Sequence, residues 1–399
     1  MNGIQERYLR LALRLARLDE GVLDSYVGPP EIRRAVDAEA RPEASALVGE
    51  TEELLAELPE GWLSDQVVGL RTVAGRLAGE QISYPDEVEA CYGVRPGNTS
   101  DAALATAYER LETLLPGPGS LGERFRAWDD SAQVPAATIE ALMTAVIEEA
   151  RARTRELFGL PEGESIVIDY VRDTPWLGYH EYLGDLRGRI SVNVDKPRSA
   201  ISLLSLALHE SYAGHQAERC NKEVALIRGR GLLEETIAVV TAPQSVVSEG
   251  LAELAVELLL DGATGPAFES LVHDHGVELD LAHARAVQRA TEPLGWLGVD
   301  AALMLHQEGR PAAEVSGYLH ERALISADGA DRWVRFLNDA GSRTYAICYP
   351  AGLALCRDFV AGNPTRFRTL LTEQVRVGEL VDALTTRVGD PPSASRSSE

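Results

Sequence analysis

The chain has 399 residues and carries 62 Asp and Glu against 38 Lys and Arg, a formal net charge of −24. Such a surface repels phosphate backbones and anionic headgroups, so neither nucleic acid nor a membrane surface is an expected partner. Apolar content of 45% with 25% charged residues predicts a folded chain, in one large domain or two subdomains, rather than a disordered one.

Lysine occurs only at Lys196 and Lys222, which reads as a coding bias toward arginine. Cys91, Cys220, Cys348 and Cys356 form no Cys-x-x-Cys pair and are expected as reduced thiols. The N-terminal run MNGIQERYLRLALRLARLDE scatters charges through a helical period and lacks the apolar core of a signal peptide. No later segment approaches a membrane span, and the expected location is the cytoplasm.

From Ile4 to about Leu160 the pattern is helical, with examples at 8–18, 45–58, 64–77, 99–115 and 136–158. Turn signals break it at Gly28-Pro29-Pro30, Arg95-Pro96-Gly97 and Pro116-Gly117-Pro118-Gly119. This N-terminal helical region, 1–160, carries no motif. The texture then changes. Ser165–Val171 is short and β-branched, and Arg189–Val194 alternates apolar with polar, across a Gly- and aromatic-rich connection from Trp176 onward. These predict a small antiparallel sheet on an otherwise helical body, a mainly α fold.

Ile201–Cys220, ISLLSLALHESYAGHQAERC, begins almost wholly apolar after Pro197 and reads as a buried helix. It carries His209, Glu210 and His215. Burying such groups costs several kcal/mol unless they are paired or bound to a metal. A shared cation is the economical explanation, and zinc is the first candidate because imidazole is its commonest nitrogen ligand. The two histidines are six residues apart. On a regular helix they would point roughly 120° apart, so both reach one ion only if the helix is interrupted, with Gly214 the permissive residue.

Val246–Leu260 is a second apolar helix with Glu249, Glu253 and Glu257 at four-residue steps along one face. Glu253 and Glu257 are expected to meet water or supporting partners. The i, i+2 spacing of His273-Asp274-His275 splays side chains on a helix and predicts a surface position. His306 reads as a packed helical histidine, and Arg228 and Arg230 as a solvated loop. Residues 161–388 form the expected catalytic region, and the Ser/Pro-rich 389–399 a disordered tail.

HESYAGHQ at 209–216 resembles the His-Glu-x-x-Pro-Gly-His-His signature of the bacterial domain-of-unknown-function family 885, of the gluzincin-like metallopeptidase clan. Ser248-Glu249-Gly250-Leu251-Ala252 resembles its Glu-Gly-Trp-Ala segment, and Tyr349-Pro350-Ala351-Gly352 its late Tyr-x-x-Gly segment. Val192-Asn193-Val194 also has a counterpart there. The resemblance implies one zinc ion held by His209, His215 and Glu249. It makes Glu210 the general base for a zinc-activated water and Tyr349 an oxyanion donor. Asn193 becomes a candidate substrate-binding amide, and strand Ile190–Val194 an edge on which an extended peptide pairs.

The departures are Ala213 for the proline, Gln216 for the second tandem histidine and Leu251 for the tryptophan. Pro350 also disfavours helical geometry at Tyr349. The expected function is a zinc-dependent metallopeptidase cleaving peptide or amide bonds. A zinc hydrolase of non-peptide small molecules and a degenerate, metal-free binding scaffold are the alternatives.

Overall fold

The computed structural model of the protein describes residues 3–174, 178–195 and 198–382. The expected tail at 389–399 lies outside them, as do Trp176 and Pro197. The periodicity of the N-terminal region becomes α1 (Gly3–Ala16), α2 (Pro30–Asp37), α3 (Ala44–Glu57), α4 (Trp62–Leu77), α5 (Tyr84–Tyr92), α6 (Asp101–Leu114), α7 (Leu121–Ser131) and α8 (Ala136–Leu157). Serines start several of these. The hydroxyls of Ser83, Ser100 and Ser120 accept from the backbone N–H three residues on, satisfying a donor the helix cannot.

A short strand, β1 (Leu23–Tyr26), follows α1, and the chain later adds β2 (Ser165–Val171), β3 (Gly178–Gly184) and β4 (Arg187–Asn193). Next come α9 (Ala200–Glu210), α10 (His215–Lys222), β5 (Ile237–Val239) and α11 (Gln244–Leu260). The C-terminal part is α12 (Gly265–Asp274), α13 (Leu281–Thr291), α14 (Leu297–His306), α15 (Ala312–Arg322), α16 (Ala327–Asn338), α17 (Cys348–Val360) and α18 (Pro364–Thr372). With 66% of the described residues helical, the fold is mainly α.

The sheets differ from expectation in a way that matters for the site. The two expected strands, β2 and β4, pair in parallel, with Ser165 opposite Arg187 and Val171 opposite Asn193. The stretch read as a connection is itself a strand: β3 pairs antiparallel with β4, His180 opposite Ile190. Its inward positions include a histidine, which hides the alternation from an apolar count. The strand order β2-β4-β3 makes β4 central, so Ile190–Val194 has no free edge for a peptide. That expectation is corrected. A separate antiparallel pair, β1 with β5, ties the N-terminal helices to the rest.

One buried cluster runs across residue 160. Leu142, Met143 and Val146 of α8 belong to the same buried cluster as Leu204 and Leu208 of α9 and Leu251 of α11. The second cluster joins α1, α3 and α4 to Ile237 and Val239 of β5. Helix α8 packs on α9 because both present apolar stripes, Ile139, Leu142 and Val146 on the first and Ile201, Leu204 and Leu208 on the second, and the polar break around Leu160 is only a turn.

Helices α11 and α17 cross closely beside the site. Gly250 and Gly352 face each other there, and a Cβ on either would overlap the other's backbone. Helix α17 opens at Cys348, which puts Pro350 in its first turn, where its missing N–H has no intrahelical partner to lose. Tyr349 is therefore helical, contrary to the expectation from the following proline. Gly250→Ala is expected to lower the unfolding free energy by about 3 kcal/mol, the upper end for overpacking, measured by urea denaturation. An unchanged midpoint would mean the crossing is looser than described.

Candidate metal centre

The long apolar helix breaks where the histidine spacing requires. Helix α9 stops at Glu210, residues 211–214 are non-helical, and α10 restarts at His215. At Gly214 a Cβ would overlap the carbonyl oxygen of His209, so only glycine lets the chain double back this closely. Ala213 replaces the expected proline and the break forms regardless; the Tyr212–Ala213 peptide is cis. The Tyr212 hydroxyl donates to the buried carboxylate of Glu164. Glu164 also receives Arg151 Nε at 2.7 Å and Arg155 Nη2 at 3.0 Å. These contacts brace the break against α8 and β2.

The imidazoles of His209 and His215 consequently meet, with ring centroids 4.7 Å apart and planes at 89°. Between them sits the buried carboxylate of Glu249 from α11. His209 Nε2 is 3.2 Å from Glu249 Oε2, and His215 Nε2 is 3.7 Å from Oε1. One ligand atom from each residue lies within 4.8 Å of the other two, so the three can hold a metal ion. Glu249 Oε1 accepts the hydroxyl of Tyr345 at 2.7 Å. Oε2 is buried and accepts no aligned hydrogen bond among the described residues. With His209 neutral, as a metal ligand must be, an ionised oxygen in this state is costly unless a cation takes it, so the donor set fits a divalent ion.

The outer nitrogens of both rings are also engaged. His209 Nδ1 lies 3.4 Å from Glu253 Oε1, and His215 Nδ1 lies 3.3 Å from Ser248 Oγ. Metal-ligating histidines commonly use their second nitrogen in this way, which fixes ring orientation. Glu253 is thus a partner of His209, while Glu257 pairs with Arg357 at 2.6 Å.

Burial is the largest influence on each group, and charge outweighs it at the cluster. Burial would lower His209, but Glu249 and Glu253 hold it well above the ordinary imidazole range. His215 is lifted likewise against burial by Glu249 and Glu218. Glu249 is kept below the usual carboxylate value because His215, His209 and the Tyr345 hydroxyl overcome its burial. At Glu210 burial prevails over the two imidazoles, and its carboxyl is raised.

Tyr349 sits on α17 with its ring 6.5 Å from that of His209, half-buried and facing the cluster. Tyr345, one turn earlier, is the tyrosine that bonds Glu249, and sequence reasoning missed its role. Its signal was present: Tyr345 and Tyr349 share a helical face at i, i+4.

Asn193 is not brought to the cluster's service. Its Oδ1 accepts from Asp195 N at 2.9 Å, and its Nδ2 donates to Thr174 O at 2.9 Å. The amide clamps the turn after β4. Gln216 points to the sheet, where its Oε1 meets His180 Nε2 at 2.8 Å, and burial pushes His180 down to about 3. Leu251 is a core residue.

His273 and His275 bond backbone carbonyls, His306 bonds Leu337 O, and Arg228 and Arg230 pair with Glu223 and Glu373. All four cysteines are free and buried. A cavity of about 590 Å³ lies between α1, β1 and β3, and none of His209, His215 and Glu249 lines it. The donor atoms, not this cavity, define the site.

No family model matches the sequence, and no curated protein matches it. Solved structures share the fold, two of them as follows. One is titled a "putative lipoprotein from Colwellia psychrerythraea", at 12% identity and TM-score 0.54, covering 90% of this chain and 69% of that one. The other is titled a "putative lipoprotein of unknown function from Shewanella oneidensis", at 12% identity and TM-score 0.50, covering 93% and 77%. At this identity the likeness is one of fold alone. Among the described residues no helix is long and apolar enough to cross a membrane.

The cluster predicts a pH signature in the metal-free protein. His209 is raised above its ordinary 6.5, so its contribution to stability is complete below pH 6.5 and disappears as pH rises through the raised value. Glu249 is lowered from 4.5, so its contribution is present above pH 4.5 and is lost as pH falls through the lowered value. Urea midpoints against pH should therefore lose their alkaline decline, relative to wild type, in His209→Gln. Parallel curves for the two proteins would contradict the ion pairing.

Proposed function

We propose that the protein is a zinc-dependent hydrolase, most simply a metallopeptidase acting on peptide or amide bonds. The observation that carries the reading is the convergence of His209, His215 and Glu249 from a broken helix and its acidic neighbour, with Glu210 beside the first histidine. Two nitrogens and one carboxylate oxygen form the donor set of zinc sites that keep an open position for catalysis. A zinc ion held there supplies Lewis acidity toward a carbonyl and lowers the pKa of a water to near 7.

The protein's own residues do the rest. Glu210, its carboxyl raised by burial, takes a proton from the attacking water and returns it to the leaving amine. Tyr349 faces the same space from α17 and offers its hydroxyl to the oxygen on which charge develops. Tyr345, Glu253 and Ser248 keep the ligands in place. The resemblance to family 885 belongs with this reading. So does a cytoplasmic location, supported by four unpaired cysteines, although the fold neighbours carry lipoprotein names.

Glu210→Gln should retain one zinc per chain yet lower kcat by at least about 100-fold on the best substrate from a panel of peptides, esters and lactams. Zinc analysis by mass spectrometry and initial rates on the same preparation give both numbers. Turnover at the wild-type rate removes Glu210 as the base. Ester or lactam cleavage without peptide cleavage moves the substrate to a non-peptide small molecule. A wild-type chain without zinc-dependent activity leaves the binding scaffold.

A further inference from the structure

Behind His215 a polar chain continues from Ser248 to two buried charges that the reading above leaves without a role. His215, Glu218 and Lys222 recur at steps of three and four residues along α10 and so share one helix face. Glu218 and Lys222 are buried, with Lys222 Nζ 2.7 Å from Glu218 Oε1. The other carboxylate oxygen, Oε2, accepts the hydroxyl of Ser248 at 2.5 Å. Glu218 Oε2 is 4.0 Å from His215 Nδ1, beyond hydrogen-bond reach, while Ser248 Oγ is 3.3 Å from that nitrogen.

Proton counting decides the direction of these bonds. The ammonium of Lys222 can only donate, and it saturates one oxygen of Glu218. The single hydroxyl proton of Ser248 goes to the other oxygen. Toward His215, Ser248 can then only accept, so Nδ1 must carry hydrogen. That leaves Nε2, on the Glu249 side at 3.7 Å, as the nitrogen with a lone pair when the ring is neutral. His209 reaches its own orientation differently, through direct contact with Glu253.

Lys222 makes the arrangement tolerable. A buried Glu218 without it would place a second bare charge behind the cluster. The chain has only two lysines among 38 basic residues, and one stands here. A compact ammonium needs less space and fewer partners than a guanidinium.

We propose that Lys222, Glu218 and Ser248 form a positioning relay that locks His215 as the Nδ1–H tautomer and presents Nε2 to the metal. The proposal rests on the zinc reading above. None of the three residues is catalytic; they act through His215.

The test compares the full chain with Ser248→Ala, Ser248→Thr and the paired change Glu218→Gln with Lys222→Met, which removes both buried charges together. Zinc affinity is read by competition with a chromophoric chelator, and the His215 Nδ1–H by ¹H–¹⁵N NMR of the zinc-loaded protein. Ser248→Ala and the paired variant should bind zinc about 10–100-fold more weakly. Ser248→Ala should also lose the protected Nδ1–H signal, and Ser248→Thr, which restores a hydroxyl, should recover both. A tight-binding wild type with Ser248→Ala indistinguishable from it in affinity and signal overturns the relay alone. A wild type that binds no zinc overturns the zinc reading and the relay with it.

Discussion

The carboxylate of Glu249, buried between two imidazoles, is the constraint around which the rest of the site is arranged. An ionised oxygen in such a place is stable only if positive charge or donated protons surround it. His209, His215 and Tyr345 approach it from three separate elements, and one of its oxygens still accepts no aligned hydrogen bond among the described residues. Two structural devices make the approach possible. The break at 211–214 swings His215 back toward His209, and the glycine-on-glycine crossing of α11 with α17 brings Tyr345 and Tyr349 over Glu249.

Both devices depend on glycines at which a Cβ would overlap neighbouring backbone. Gly214 lies against the carbonyl of His209, and Gly250 against Gly352. Local glycine freedom alone does not hold a break inside an apolar helix, because the exposed backbone groups must find partners. Here Ser211 bonds back to Ala207, and Tyr212 is tied through Glu164 to two arginines. Gln216 adds a third tether, from α10 to the Ser165 carbonyl at 3.2 Å. The brace is polar and buried, so it specifies one geometry rather than a range.

Much of this was legible in the residues. The six-residue histidine spacing demanded an interruption, and Gly214 marked its place; the four-residue steps from Glu249 to Glu257 put carboxylates on one face. The mainly α architecture followed from apolar periodicity. What was not legible depended on partners far away in sequence. Glu253 and Glu257 look equivalent along α11, and only the position of His209 and Arg357 separates their roles. Tyr345 gained its role from a contact 96 residues away. Asn193 and Gln216 have the chemistry of site residues, but Thr174 and Asp195 occupy the amide of the first, and His180 and Ser165 that of the second. The third strand hid behind a buried histidine, and with it the fact that β4 has no free edge.

The central claim is that His209, His215 and Glu249 together hold one divalent ion. X-ray absorption at the zinc edge of the purified, zinc-loaded chain tests it most directly. Two imidazole nitrogens and carboxylate oxygen at about 2.0–2.2 Å, with one imidazole lost in His209→Ala, are the expected result. A zinc shell without imidazole scattering, or one unchanged by that substitution, would contradict it.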